Sequence, residues 1–367
     1  MFLAFNQKSV LLATAIAFTS VGVVQAQSET KEVAIDFAAY VGEEEFICGE
    51  SYEGVGTGES TITPTDFRFY VSDIALIDES GNAVPLELEQ DGKWQYQNTA
   101  LLDFEDGTSA CDNGTAEINT TVFGVVPEGD YQSLQFTLGV PKNLNHDDAA
   151  IAPSPLNLTS MWWNWQGGYK FLRVDMETDQ ELANASTTTS QTTHSQGGHG
   201  NVQTNRQTTT TSGQGNQSTT QTSNQTSIFK NGQGTHQQSS TTTTSGGHSQ
   251  TTHSQSSGSN HQEMENVSSN AYSVHLGSTG CTDSSQSSLF GCSNPNRAQV
   301  VLEDFNPDGD VVIADLAELL AQSDLTTNQA NTPNGCISSP EDGDCAPIMQ
   351  NLGLASGATA QYFFFVE

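Results

Sequence analysis

Two histidines stand apart as the residues best suited to chemistry. The chain has eight His, and six of them (His194, His199, His236, His248, His253 and His261) lie in a tract of Ser, Thr, Gln, Gly and Asn. The other two do not. His146 sits in the polar loop Pro141-Lys142-Asn143-Leu144-Asn145-His146-Asp147-Asp148, just after a strand-like run. His275 sits in Val274-His275-Leu276-Gly277-Ser278-Thr279-Gly280-Cys281. Neutral imidazole ligates copper, zinc, nickel and iron, so two such rings brought together could hold one ion. Their distance in sequence supplies no ligand spacing, and two ordinary hydrogen-bonded histidines are the competing reading.

The tryptophans add a second element. Three of the four Trp fall within Met161-Trp162-Trp163-Asn164-Trp165-Gln166-Gly167-Gly168-Tyr169-Lys170-Phe171. On a strand, Trp163 and Trp165 project to one face and Trp162 to the other. Such a cluster suits a core, or a sugar-stacking platform of a carbohydrate-binding or adhesive module. Intact indole offers only a donor N–H and is no metal ligand. Met161 either fills core or lends a thioether to Cu(I).

A further metal pattern lies late in the chain. Asp304, Asn306 and Asp308 stand at positions 1, 3 and 5 of a twelve-residue loop, followed by Gly309, Asp310 and, at position 12, Asp315. This resembles the dockerin-type variant of a calcium loop. An acidic Asn-Pro-Asp-Gly turn entering a helix is the plainer alternative.

Composition bounds what these groups can serve. There are 43 Asp+Glu against 10 Lys+Arg in 367 residues, a formal net charge of −33. A polyanion lacks the electrostatic footprint for nucleic acid and is repelled by anionic membrane surfaces. All the acids lie outside the polar tract, and a solvated acidic surface accounts for them without a ligand.

The segments that must position the site follow from pattern. Residues 1–26 read as a secretory signal peptide: Lys8, an uncharged apolar run from Val10 to Val24, then Val24-Gln25-Ala26 as a small-residue cleavage site. No later run is long and apolar enough for a membrane span. Residues 186–261 carry only Val202, Ile228 and Phe229 as apolar residues, too few to offset the entropy of ordering, and are predicted to be a disordered insertion. It divides one domain into parts 27–185 and 262–367.

Period-two runs at Val33–Phe37, Phe67–Val71, Leu134–Leu138, Tyr169–Val174 and Ala271–Leu276 predict strands, and Ala314–Ala321 a helix. The expected fold is mainly β, an antiparallel β-sandwich or open barrel with a short C-terminal helix. The six cysteines, Cys48, Cys111, Cys281, Cys292, Cys336 and Cys345, suggest three disulfides in an oxidising compartment. Six Cys allow 15 pairings; local pairs 281–292 and 336–345, leaving 48–111, are the simplest. No CxxC pair marks a zinc-thiolate site.

A run of motifs in order makes the chain similar to a known family. They are Phe46-Ile47-Cys48-Gly49, Asp66-Phe67-Arg68-Phe69-Tyr70-Val71-Ser72-Asp73, Trp94-Gln95, Leu102-Asp103-Phe104-Glu105 and Phe136-Thr137-Leu138-Gly139-Val140-Pro141. Leu144-Asn145-His146, Pro153-Ser154-Pro155-Leu156-Asn157, the Trp163–Phe171 block, His275–Cys281 and Cys292–Arg297 complete the set. Together they resemble the MbnP-like copper-binding proteins, the four-Cys member of the metallo-mystery pair. The resemblance implies a periplasmic or secreted binding protein, not an enzyme. Its partner would be a dihaem MbnH-type enzyme that oxidises one tryptophan to kynurenine. The ligands it implies are His146, His275 and Trp163 or Trp165 in oxidised form. Ring opening frees an aromatic amine and turns a non-ligand into a nitrogen donor, which joined to two imidazoles suits copper. The insertion before His275 departs from the family pattern. Its scattered histidines read as a solvated spacer or a weak metal scavenger.

Overall fold

The computed structural model describes residues 29–367 apart from 113, 165, 184–185, 198–200, 213–218, 231–232, 246–261, 267–269, 283–290 and 359. The leader over 1–26, Trp165, and His199, His248, His253 and His261 of the insertion therefore lie outside the described residues. The strands that build the domain are β1 (Thr30–Val41), β2 (Ser60–Asp78), β3 (Thr99–Asp103), β4 (Thr121–Pro127), β5 (Tyr131–Leu138), β6 (Trp162–Asn164), β7 (Gly168–Tyr169) and β8 (Leu172–Thr178). After the insertion come β9 (Ala271–Leu276), β10 (Thr279–Thr282), β11 (Gly291–Asn294), β12 (Ala298–Glu303), β13 (Val311–Asp315) and β14 (Phe364–Val366). Two short helices follow β13: α1 (Leu316–Leu320) and α2 (Cys345–Asn351).

Alternation sets the faces. β1 buries Val33, Ile35, Phe37, Ala39 and Val41 and exposes most of the residues between them. It joins β14, β13 and β4 in the order β14-β13-β1-β4, while β12, β5, β2, β8 and β9 run side by side in a second, larger sheet. Phe37 of the first sheet meets Phe69 and Phe136 of the second edge to face, at 6.0 and 5.8 Å between centroids. Truncating a ring such as Phe69, fully buried here, costs about 3–5 kcal/mol. The two sheets are open and do not close into a barrel. The expected antiparallel plan holds for most pairs, but β1–β13 is parallel. Strands so far apart in sequence need no hairpin between them.

The predicted helix is shorter than its spacing suggests. Ala314 and Asp315 complete β13, and α1 starts where the Asp315 carboxylate accepts from Ala317 N at 2.8 Å. α2 was not foreseen; Pro347 in its first turn and the disulfide at Cys345 mark its start. The three disulfides are Cys48–Cys111, Cys281–Cys292 and Cys336–Cys345, the simplest pairing, and they fit an oxidising compartment. Among the described residues no helix is long and apolar enough to cross a membrane.

Composition sets 186–261 apart from the domain, and the described backbone there belongs to a sheet of its own. Strands Ser186–Gly197, Asn201–Ser212, Thr219–Lys230 and Gln233–Ser245 pair in sequence order, and Gln262–Asn266 joins the first. Among the described residues this sheet pairs with neither sheet of the domain. In its ladder Val202 pairs with Phe229 and Gln203 with Ile228. The insertion leaves the following strand in register: β9 pairs with β8, His275 opposite Arg173.

Candidate metal centre

The long strand β2 organises the site by a change of partner. β8 pairs with it through Phe69, and β5 takes over the same edge from Val71. Between them lies Tyr70, whose N–H donates to Phe171 O and whose carbonyl accepts from Gly139 N, both at 2.8 Å. The segment 139–171 therefore leaves and rejoins the sheet at one residue, and it carries His146, Trp162 and Trp163. Gly139 has φ +133°, and a Cβ there would stand 3.0 Å from the Phe171 ring, so this exit suits only glycine. The Tyr70 hydroxyl donates to Pro155 O (3.0 Å) and that of Tyr169 to Leu156 O (2.7 Å). Burial pushes both phenols up, so they stay protonated donors that pin the loop.

Asn145 is the junction of the segment. Its side chain, 2% exposed, accepts from Tyr169 N at 3.0 Å, donates to Ser278 Oγ at 3.3 Å, and lies 3.4 Å from His146 Nε2. Gly168, at φ +76°, lets Asn145 approach: a Cβ there would stand 2.4 Å from Asn145 O. Trp163 is held by two more glycines. Its ring lies where a Cβ on Gly277 would fall 2.5 Å from Cζ3, and one on Gly167 3.2 Å from Cε3. Through Asn145 and through the indole, the loop thus docks on Gly277-Ser278, immediately beyond the strand that carries His275. His146 Nε2 also stands 3.5 Å from Cys292 Sγ.

His275 lies on the face of β9 opposite the buried Tyr272, Val274 and Leu276. Its Nε2 is 2.7 Å from Asp175 Oδ1. A carboxylate only accepts, so Nε2 carries the proton and Nδ1 keeps the lone pair, the arrangement of a ligand histidine with an orienting carboxylate. A buried ion network extends from Asp175. Arg173 Nε reaches Asp175 Oδ2 at 2.7 Å and Asp66 Oδ2 at 3.1 Å, Arg68 pairs with Asp66, and Arg68 Nη1 meets Glu105 Oε1 at 3.0 Å.

Burial lowers the His275 pKa in spite of Asp175, which keeps the ring neutral. Burial also works against the Asp175 carboxylate, but His275 and Arg173 outweigh it and hold it well below the usual range. Burial pushes Lys170, which donates to Ser160 O at 2.8 Å, down to about 7. It pushes Asp103 and Glu105 up to about 7.

Of the residues singled out from sequence, Trp163 packs against Gly277, which with Ser278 follows the His275 strand; the neighbour of His146, Asn145, donates to Ser278, and Trp165 lies outside the described residues. Met161 is fully buried in the core. Among the described residues, the one group of three His, Cys or acidic side chains whose ligand atoms all lie within 4.8 Å is His146, Cys281 and Cys292, without His275. The acidic loop closes largely on itself. Asp310 Oδ2 accepts from Asn306 N (2.8 Å), Asn306 Oδ1 from Asp308 N (3.1 Å), and Asp308 Oδ2 is 3.7 Å from Lys31 Nζ. Asp304 takes φ +57°, and the Oδ1 of buried Asp315 accepts from both Gly42 N and Ala317 N at 2.8 Å. Sequence reasoning missed Asp175, Arg173 and Asn145. The signal for the first two was available: Arg173 and Asp175 alternate with the buried Leu172, Val174 and Met176, which places two charges on one face of a strand.

Fold and site together define a disulfide-stapled protein of two open β-sheets, with an imidazole- and indole-bearing loop docked at the end of one strand. Residues 30–241 match the family model MbnP, more than half of the chain, and the chain belongs to the MbnP family. The structure of MbnP from Methylosinus trichosporium is similar to it with a TM-score of 0.62 at 24% identity, covering 92% of this chain and 98% of that one. That likeness carries the fold. No curated protein matches the chain closely.

Proposed function

We propose that the chain is an exported copper-binding protein whose ligands are His146, His275 and one tryptophan, Trp163 or Trp165, oxidised to kynurenine by a dihaem MbnH-type partner. One observation carries the reading. Trp163 packs on Gly277, and Asn145, the neighbour of His146, donates to Ser278; these two residues lie just past Leu276, the end of the strand that carries His275. The donor set fits copper in kind. Asp175 presents Nδ1 of a neutral His275, and imidazole nitrogen suits this metal. Copper held there would be bound and released by the chain, which supplies orientation and partial burial.

Each residue has a distinct task. Asp175 fixes the His275 tautomer, Asn145 fixes the loop that carries His146, and Gly277 lets the indole seat against the strand end. In that reaction the indole and two waters would give up four electrons and four protons, the dihaem enzyme passing the electrons to an external peroxide, so that two oxygen atoms enter across the C2–C3 bond. Hydrolysis then releases C2 as formate, and the freed aniline nitrogen completes the set. Carbohydrate stacking is less well served. Trp162 and Trp163 are half-buried, Trp163 lies against Gly277, and Trp162 turns its Nε1 inward without a hydrogen-bond partner. A calcium ion at Asp304–Asp315 would stabilise the turn before α1.

Mass spectrometry of the chain co-expressed with its partner tests the modification. The 161–171 peptide is expected to gain one oxygen and lose one carbon. An unaltered peptide from a preparation with active partner contradicts it.

A further inference from the structure

We propose that reduction of the Cys281–Cys292 disulfide opens a second metal site, built from both sulfurs and His146, for a thiophilic cation such as copper(I) or zinc(II). The three ligand atoms already lie within 4.8 Å of one another, and His146 Nε2 is 3.5 Å from Cys292 Sγ. Cys281 and Cys292 face each other across the β10–β11 pair with Cα atoms 3.8 Å apart, so the ladder keeps the two sulfurs together after the bond between them is cut. A pair of thiolates with one imidazole is the donor set that soft cations prefer over calcium or magnesium.

Exposure decides which disulfide opens. Cys48, Cys111, Cys336 and Cys345 are at most 6% exposed, whereas Cys281 and Cys292 are half-buried and lie in a two-stranded ladder. A small dithiol therefore reaches the 281–292 bond first. It donates two electrons and two protons, leaving two thiols on the chain and becoming a disulfide itself. The cation then displaces the thiol protons. In the closed form the sulfurs have no thiolate to offer, so the site exists only in the reduced chain. It shares His146 with the proposed copper centre but does not rest on that reading, because its sulfur ligands give it a separate signature.

The experiment uses the full mature chain, treated with mild dithiol, desalted without oxygen, and titrated with Co²⁺ as a spectroscopic probe. Alkylation of a portion is expected to label Cys281 and Cys292 ahead of the other four. The reduced chain is expected to bind cobalt with sulfur-to-metal charge-transfer absorption that the oxidised chain lacks and that reoxidation abolishes. His146→Gln is expected to weaken that binding at least about 10-fold, since even outer-shell partners of a metal commonly contribute that much. First labelling at another cysteine, no sulfur band in the reduced chain, or a band and affinity unchanged by His146→Gln would each overturn the proposal. An oxidised chain that binds no copper would count against the copper reading alone.

Discussion

The two histidines of the proposed centre are held by opposite means. His275 sits in β9, opposite Arg173 of β8 and one residue from the strand's end, with its ring locked by Asp175 and an ion network running to Glu105. His146 sits in a loop, and its position depends on Asn145, on glycines that permit close approach, and on tyrosine hydroxyls that tie the loop down. The strand ligand is placed by the pleat and oriented electrostatically. The loop ligand is placed by packing and oriented by its neighbours. One half of the site should therefore be sensitive to charge and pH, and the other to volume.

The largest expected effect breaks the loop half. Gly277→Leu drives a side chain into the Trp163 ring, where even a Cβ would stand 2.5 Å from Cζ3. The loop must then leave the strand end, and copper affinity is expected to fall by about 100-fold or more, as when a site loses its positioned shell. Circular dichroism should show the sheets intact; retained tight binding would show that Trp163 need not dock there. Gly168→Ala is milder, combining a left-handed φ with contact on Asn145 O, and should cost about 1–3 kcal/mol in urea unfolding.

Next comes the strand half. Asp175→Asn is expected to lower copper affinity about 10–100-fold, because the amide no longer dictates which ring nitrogen keeps its lone pair. The signature is orientational: nitrogen hyperfine spectra of Cu²⁺ should show His275 bound through Nδ1 in the parent and a mixture in the variant. Equal affinity and equal spectra would mean that Asp175 serves only the ion network.

The network itself gives opposite pH slopes at its two ends. His275 and Asp175 both have folded pKa values below their ordinary ones, so their contribution is complete above about pH 6.5 and is lost as pH falls. Asp103 and Glu105, raised to about 7, bind protons in the folded state, so their contribution is lost as pH rises from about 4 through 7. Glu105→Gln should flatten the decline of stability between pH 5 and 8 as followed by denaturant melts. A slope unchanged from the parent would remove Glu105 from the account.

How much of this was legible follows from the range of the interactions involved. Alternation in Val33–Phe37 and Ala271–Leu276 predicted strands because one buried face imposes a period of two. His146 and His275 were visible as folded-region imidazoles. Their orientation was not, because Asp175 pairs with a residue 100 positions away. Asn145, read in sequence as one more polar loop residue, proved to be the loop's anchor through contacts with Tyr169 and Ser278 that no local pattern encodes. Ala314-Asp315 read as helix by propensity but completes β13, because pairing with β1 and β14 overrides it.

The smallest effect concerns the acidic loop. Asp308→Ala is expected to shift thermal unfolding by no more than about 0.5 kcal/mol in chelator, since its pairing with Lys31 at 3.7 Å is exposed. A larger loss in calcium than in chelator would place an ion there, and equal losses would leave the turn self-sufficient.

The central claim is that the two separately held imidazoles serve one copper ion. Its most direct measurement is X-ray absorption on the partner-matured chain at one copper per protein, compared with His146→Ala and His275→Ala. The account predicts two imidazole scattering shells in the parent, one in each variant, and a large loss of affinity in both. A parent spectrum with a single imidazole, or a variant that keeps both shells and full affinity, would contradict it.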